Sequence, residues 1–297
     1  MQREDAFGSY HPAITFLFFA GAILSCMFFR HPAFLVASLV LAYSYYVTLK
    51  GVEAWGLLKF LVPIFVIISL INPVFSTYGN TVLFEYFDGR AYTLEALLYG
   101  ANTACMFVSM IVWFACYSIV MTSDKFMYLF GGLAPSITLT LTMALRLVPL
   151  YGSKVKQFAA ARASLGRSVE TGTNKERVEH ASSLVSQLTT WAFENAATTA
   201  DSLSSRGYGV GKRTNFSMYR FAGRDKVLLL VLFVALAAAL GSAISGAQAI
   251  EFYPVVVMAP VGFLFAVGLV SYAAFLAVPT VVNVKEYLLW RNSLSKI

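Results

Sequence analysis

The sequence predicts an all-α polytopic membrane protein of about six transmembrane helices that carries a polar domain of long amphipathic helices in the cytoplasm. Three observations predict it. Of the 297 residues, 58% are hydrophobic and only 12% charged, whereas a soluble domain carries about 25% charged residues. Six apolar runs reach or approach the roughly 20 residues that a membrane-crossing helix needs. The one long polar stretch, about Arg146 to Gly209, has a helical period and lies between the fourth and fifth runs.

The six runs are Ala13 to Phe29, Pro32 to Leu49, Leu57 to Ile71, Ala96 to Val120, Val227 to Ala247 and Tyr253 to Val282. The first two are separated only by Arg30, His31 and Pro32, so they form an antiparallel hairpin whose second helix opens on a proline. The start of the chain has one arginine against Glu4 and Asp5 and no small-residue cleavage pattern, so the first run reads as a retained span. The third run carries Pro63 and has the least certain ends. Between Asn72 and Glu95 the turn signals Asn72-Pro73, Tyr78-Gly79-Asn80 and Asp88-Gly89-Arg90 enclose Thr81 to Phe87, a strand or an interfacial segment in a loop outside the bilayer.

Charge decides the topology. The net charge of +7 comes from 22 basic residues, and cytoplasmic loops collect lysine and arginine. With six spans and both termini inside, 20 of the 22 are cytoplasmic and only Arg30 and Arg90 are not. This arrangement requires Pro135 to Leu150, an apolar run broken by Arg146 and Pro149, to stay at the membrane surface as a helix. It also makes nucleic acid an unnecessary partner for the basic residues. The chain divides accordingly into residues 1–121, 122–224 and 225–297, the middle portion being cytoplasmic.

Within that middle portion, Tyr151 to Leu165 forms a helix with Val155, Phe158, Ala159 and Arg162 at three- and four-residue spacings. Ser168 to Asn174 forms a loop, and Lys175 to Gly207 a long helix. On the last, Val178, Ala181, Leu184, Val185, Leu188, Trp191 and Ala192 make one stripe, with Glu179, Ser183, Ser186, Gln187, Thr190 and Glu194 opposite. The stripe's first explanation is packing of Leu184, Leu188 and Trp191 against the neighbouring helix.

Catalytic and metal chemistry find no support. His11, His31 and His180 are scattered, and Cys26, Cys105 and Cys116 lie in apolar runs without C-x-x-C spacing. No Walker A motif, G-x-S-x-G elbow or H-E-x-x-H pair occurs, and the spans hold almost no ionisable residues of the kind that mark ion-coupled transporters. No cofactor or metal site is expected. What remains is a pair of arginines, in Ala161-Arg162-Ala163 and Ser205-Arg206-Gly207, each near the C-terminal end of a cytoplasmic helix and flanked by small residues. Singly, each reads as a last-turn cation favoured by the helix dipole by about 0.3–1 kcal/mol. As a pair with small neighbours they fit a docking surface, because arginine makes planar, multiply bonded interface anchors.

The pattern resembles the transmembrane (T) component of energy-coupling factor (ECF) transporters, the EcfT/CbiQ family, along nearly the full chain. The likeness is carried by His11-Pro12-Ala13, Asn72-Pro73-Val74-Phe75, Thr81 to Phe84, Ala144 to Pro149, Ala161-Arg162-Ala163, and Ser205-Arg206-Gly207-Tyr208-Gly209 followed by Lys212-Arg213-Thr214. The resemblance implies a cytoplasmic coupling-helix domain in which Arg162 and Arg206 engage two separate ABC ATPase subunits. It further implies transmission of ATP-driven motion to a small substrate-binding S component, for uptake of a vitamin or a transition-metal ion across a bacterial or archaeal plasma membrane. Ala163 departs from the glycine frequent at the first motif, and Gly166-Arg167 follows a little later. A conventional ABC permease that carries the solute itself is the alternative; it predicts one short coupling helix and polar residues lining the spans.

Overall fold

A computed structural model describes residues 5–76, 79–86, 90–131, 135–166, 173–211 and 219–294. The chain forms two compact units, residues 1–126 with 219–297, and residues 127–218. Tyr78, Asp88, Gly89, Arg167, most of the loop expected from Ser168, and Lys212-Arg213-Thr214 lie outside the described residues.

In the first unit each of the six apolar runs contributes a helix: α1 (Pro12–Phe28), α2 (Pro32–Lys50), α3 (Ala54–Phe75), α4 (Leu94–Val120), α8 (Gly223–Ile244) and α9 (Phe263–Leu294). α2 with α3, α4, α8 and α9 are long and apolar enough to cross a membrane, and α1, at 17 residues, is slightly shorter. This is an all-α, multi-pass membrane protein. α1 and α2 open with the same device, His-Pro-Ala: the proline occupies the first helical position, where no N–H is needed. The preceding imidazole Nδ1 of His11 or His31 accepts the N–H of Ala13 or Ala33 at 3.2 Å.

Two helices differ in extent from their runs. α3 reaches beyond the third run at both ends to 22 residues, continuing through both Pro63 and Pro73. The sixth run is not helical from Tyr253: a short hairpin, β3 (Ile250–Glu251) with β4 (Val257–Met258), comes first, and α9 extends twelve residues beyond Val282. An apolar β-branched stretch such as Val255 to Val257 reads equally well as strand or helix from periodicity alone. Between α3 and α4, β1 (Val82–Tyr86) pairs antiparallel with β2 (Arg90–Thr93), so the strand reading of that segment is the right one.

The core is aromatic and joins α1, α2, α4 and α9. Phe18 lies 5.6 Å from Trp113 and 5.2 Å from Phe275, and Phe34 lies 5.6 Å from Tyr272. Its polar atoms are paired across helices. Trp113 donates its indole N–H to Ser38 Oγ at 3.0 Å, Cys26 Sγ lies 3.1 Å from the same oxygen, and Ser25 donates to the Tyr272 hydroxyl at 3.2 Å. Elsewhere small residues set the spacing: a Cβ on Gly100 of α4 would lie 2.7 Å from the Ser69 carbonyl oxygen of α3.

Because that approach leaves no room for a side chain, Gly100→Leu is expected to push α3 from α4 and to cost about 1–3 kcal/mol. Thermal unfolding of the detergent-solubilised protein measures it, with Gly56→Leu as the control, since nothing lies within 4 Å of a Cβ there.

Candidate functional site

The second unit contains the end of α5 (Ser123–Gly131), α6 (Pro135–Ser164) and α7 (Asn174–Ser205). The surface helix and the helix expected after Leu150 are one continuous α6 of 30 residues with Pro149 inside. A proline removes a single backbone bond, here the one to the carbonyl of Leu145, and leucine- and alanine-rich flanks of this length keep the helix going. α7 starts where Glu176 reaches back to accept the Thr173 N–H and hydroxyl, each at 2.8 Å, one half of a capping box.

α6 and α7 pack through part of the predicted stripe. The Trp191 ring stands edge-on to Tyr151 at 5.4 Å, with Lys154 Nζ 5.7 Å above it. Tyr151, Val185, Leu188, Ala192 and Phe193 line an open apolar groove of about 490 Å³. Two members of the stripe stay exposed: Val178 and Val185 are 69% and 61% exposed.

The two arginines occupy different environments. Arg162 is only 7% exposed. Its guanidinium donates through Nη1 to Ser183 Oγ of α7, while its buried Nε has no partner. Ser183 therefore does not stand on a wholly solvated face of α7 but takes part in the α6–α7 contact. The signal was available in the sequence, since Arg162 continues the spacing of Val155, Phe158 and Ala159. Ala161 and Ala163 on either side are exposed.

Arg206 is exposed and is the capping residue of α7. Beyond it Gly207 takes φ +78°, a conformation that costs other residues about 1–2 kcal/mol. The Gly207 N–H bonds the Ser204 carbonyl and the Tyr208 N–H the Leu203 carbonyl, both at 3.0 Å, the bond pair of a Schellman cap. Ser205 turns its hydroxyl back to the Asp201 carbonyl at 2.8 Å. α6 ends on a similar glycine: Gly166 has φ +73° and its N–H bonds the Ala163 carbonyl at 3.0 Å. Superposing the two caps pairs Gly166 with Gly207 and Leu165 with Arg206. Arg162 stands one turn further inside its helix, so the two arginine motifs are not equivalent in register.

The model of the CbiQ family, described as "Cobalt transport protein", matches residues 9–218. The chain belongs to the CbiQ family. The matched segment includes both arginine motifs and all of α6 and α7. The "Energy-coupling factor transporter transmembrane protein EcfT" of Staphylococcus aureus (strain 04-02981) is 24% identical over 255 residues, covering 78% of this chain and 94% of that protein. A putative ABC transporter ATP-binding protein of Bifidobacterium longum (strain NCC 2705) is 24% identical over 150 residues, 48% of this chain and 19% of that much longer protein. This CbiQ-family chain is thus a membrane component of an ECF-type transporter. Among the described residues no three His, Cys, Asp or Glu side chains come together as a metal site.

Two outcomes follow from the α6–α7 geometry. Ser183→Ala strands the Arg162 guanidinium without its partner and is expected to cost about 1–3 kcal/mol, read as earlier thermal unfolding. The hydrogen bonds from Thr173 hold the Glu176 carboxyl below the usual glutamate value. A depressed pKa contributes stability that is complete above the unfolded value of about 4.3 and lost as pH falls through the folded one. The Thr173 amide resonance should titrate in that acidic window, and in Glu176→Gln the titration should vanish.

Proposed function

We propose that this chain is the transmembrane coupling and scaffold subunit of an ECF-type importer. It receives ATP-driven motion from two ABC ATPase subunits through α6 and α7. It passes that motion to a small substrate-binding S component that takes up a vitamin or a transition-metal ion. The observation that carries the reading is Arg206, held exposed on the capped end of α7 inside the family-matched region. ATP hydrolysis belongs to the partner subunits, because this sequence has no Walker A motif. The Bifidobacterium relative supports the pairing: there a segment similar to this chain is part of a protein named for ATP binding.

The bias of its basic residues supports a cytoplasmic second unit and cytoplasmic termini, in a bacterial or archaeal plasma membrane. The second docking end consists of Ser205, Arg206 and Gly207. The first consists of Ala161, Arg162 and Ala163, where the small exposed alanines admit a close surface. Arg162, bonded to Ser183, orients that end from within. The main anchoring charge is Arg206, whose planar guanidinium suits a carboxylate-lined groove.

Arg206→Glu is expected to cut ATPase retention about tenfold or more in a pull-down of the tagged chain from membranes co-expressing its ATPases, as for a central interface arginine. Unchanged retention overturns the docking role.

A further inference from the structure

Residues 127–218 leave the membrane unit after Phe126 and return at Tyr219. These two places are far apart in sequence, yet both are held by one short segment, Asp5 to His11. The segment is anchored from below by packing and hydrogen bonds. Phe7 is fully buried, with ring distances of 5.2 Å to Phe18 and 6.4 Å to Tyr45. Its N–H donates to Asn283 Oδ1 at 3.1 Å, while Asn283 Nδ2 donates to Asp5 Oδ1 at 2.7 Å. The Tyr45 hydroxyl donates to the same carboxylate at 3.2 Å. The segment is thereby fastened to α1, α2 and α9.

On its other side it holds the departure and the return. At the departure, Lys125 Nζ donates to the Gly8 carbonyl and to the Val120 carbonyl, both at 2.8 Å. A Cβ on Gly8 would come within 2.8 Å of Asp5 Oδ2 and 3.3 Å of Lys125 Nζ, so both charged side chains lie close against the backbone there. At the return, the Arg224 guanidinium lies 5.0 Å over the Tyr10 ring and donates to the Ser9 carbonyl at 3.5 Å. Next to it the His11 ring packs 4.8 Å from Phe221 and 6.5 Å from Tyr219. A segment anchored by the buried Phe7 ring and by polar contacts thus touches both junctions.

We propose that Asp5–His11 is a strap tying the departure and the return of residues 127–218 to the membrane helices, with Lys125 and Arg224 as its positioning residues. A displacement arriving at either junction is then shared with the other and delivered to α1, α2 and α9 together. The role in transport rests on the coupling reading above; the strap itself does not need ATPases to be tested.

Hydrogen exchange on the full chain in lipid nanodiscs tests it. Lys125→Met should speed exchange about tenfold or more at residues 5–11 and also at 219–226, which the two hydrogen bonds of Lys125 do not reach, while the interiors of α2 and α4 keep their rates. Lys125→Arg, which retains the cation, should bring both segments back to within about twofold of the wild type. Arg224→Gln, a change at an exposed side chain, carries the same test in the reverse direction, with faster exchange expected at residues 121–126; it decides the matter if Lys125→Met also loosens α2 or α4. Exchange at the far junction that stays at the wild-type rate overturns the strap, even if the near junction opens. No ATPase is present in this measurement, so the strap and the docking role of Arg206 fail independently.

Discussion

Inside a bilayer, helix association gains nothing from hiding apolar surface, because lipid tails are as apolar as leucine. What sets the arrangement of this chain's membrane helices is a buried seam of paired polar atoms. Ser38 on α2 accepts from Trp113 on α4 and meets Cys26 on α1, and the neighbouring Ser25 reaches Tyr272 on α9. Each of these groups left alone in hydrocarbon carries a desolvation cost, so four helices are brought into one register. The aromatic rings around the seam then fill the space it defines, and the close approach at Gly100 brings α3 against α4.

The seam explains why the membrane unit is a framework more than a passage. Its interior is closed by Phe18, Trp113, Tyr45, Tyr272 and Phe275, all nearly or fully buried, and the polar atoms of the seam are spent on one another. The segment from Asp5 to His11 extends the same logic to one end of the unit. Asn283 and Tyr45 bind the Asp5 carboxylate, and Lys125 and Arg224 close over the backbone on the other side.

The second unit separates two uses of one residue type. Arginine is long enough to reach across a helix pair and planar enough to anchor a partner. Arg162 does the first, spanning from α6 to Ser183 on α7. Arg206 is held exposed at the end of α7, where Gly207 turns the chain in the left-handed conformation. The apolar stripe of α7 is also divided: Trp191 is occupied by Tyr151 and Lys154, while Val178 and Val185 stay exposed.

The sequence by itself determined the number and order of the apolar helices, the helical character and one-sidedness of the polar block, the helix starts at His11-Pro12 and His31-Pro32, and the family. These follow from composition, period and short motifs, all of which act between residues a few positions apart. Only the tertiary structure decided that α6 runs through Pro149, that a hairpin precedes α9, and that Arg162 faces α7 while Arg206 faces outward. It also brought Asp5, Lys125, Arg224 and Asn283 together. Each of these depends on which faces meet. Helical spacing shows that Arg162 shares a face with Val155 and Phe158, but whether that face meets water or another helix is set by a residue on a different helix, Ser183.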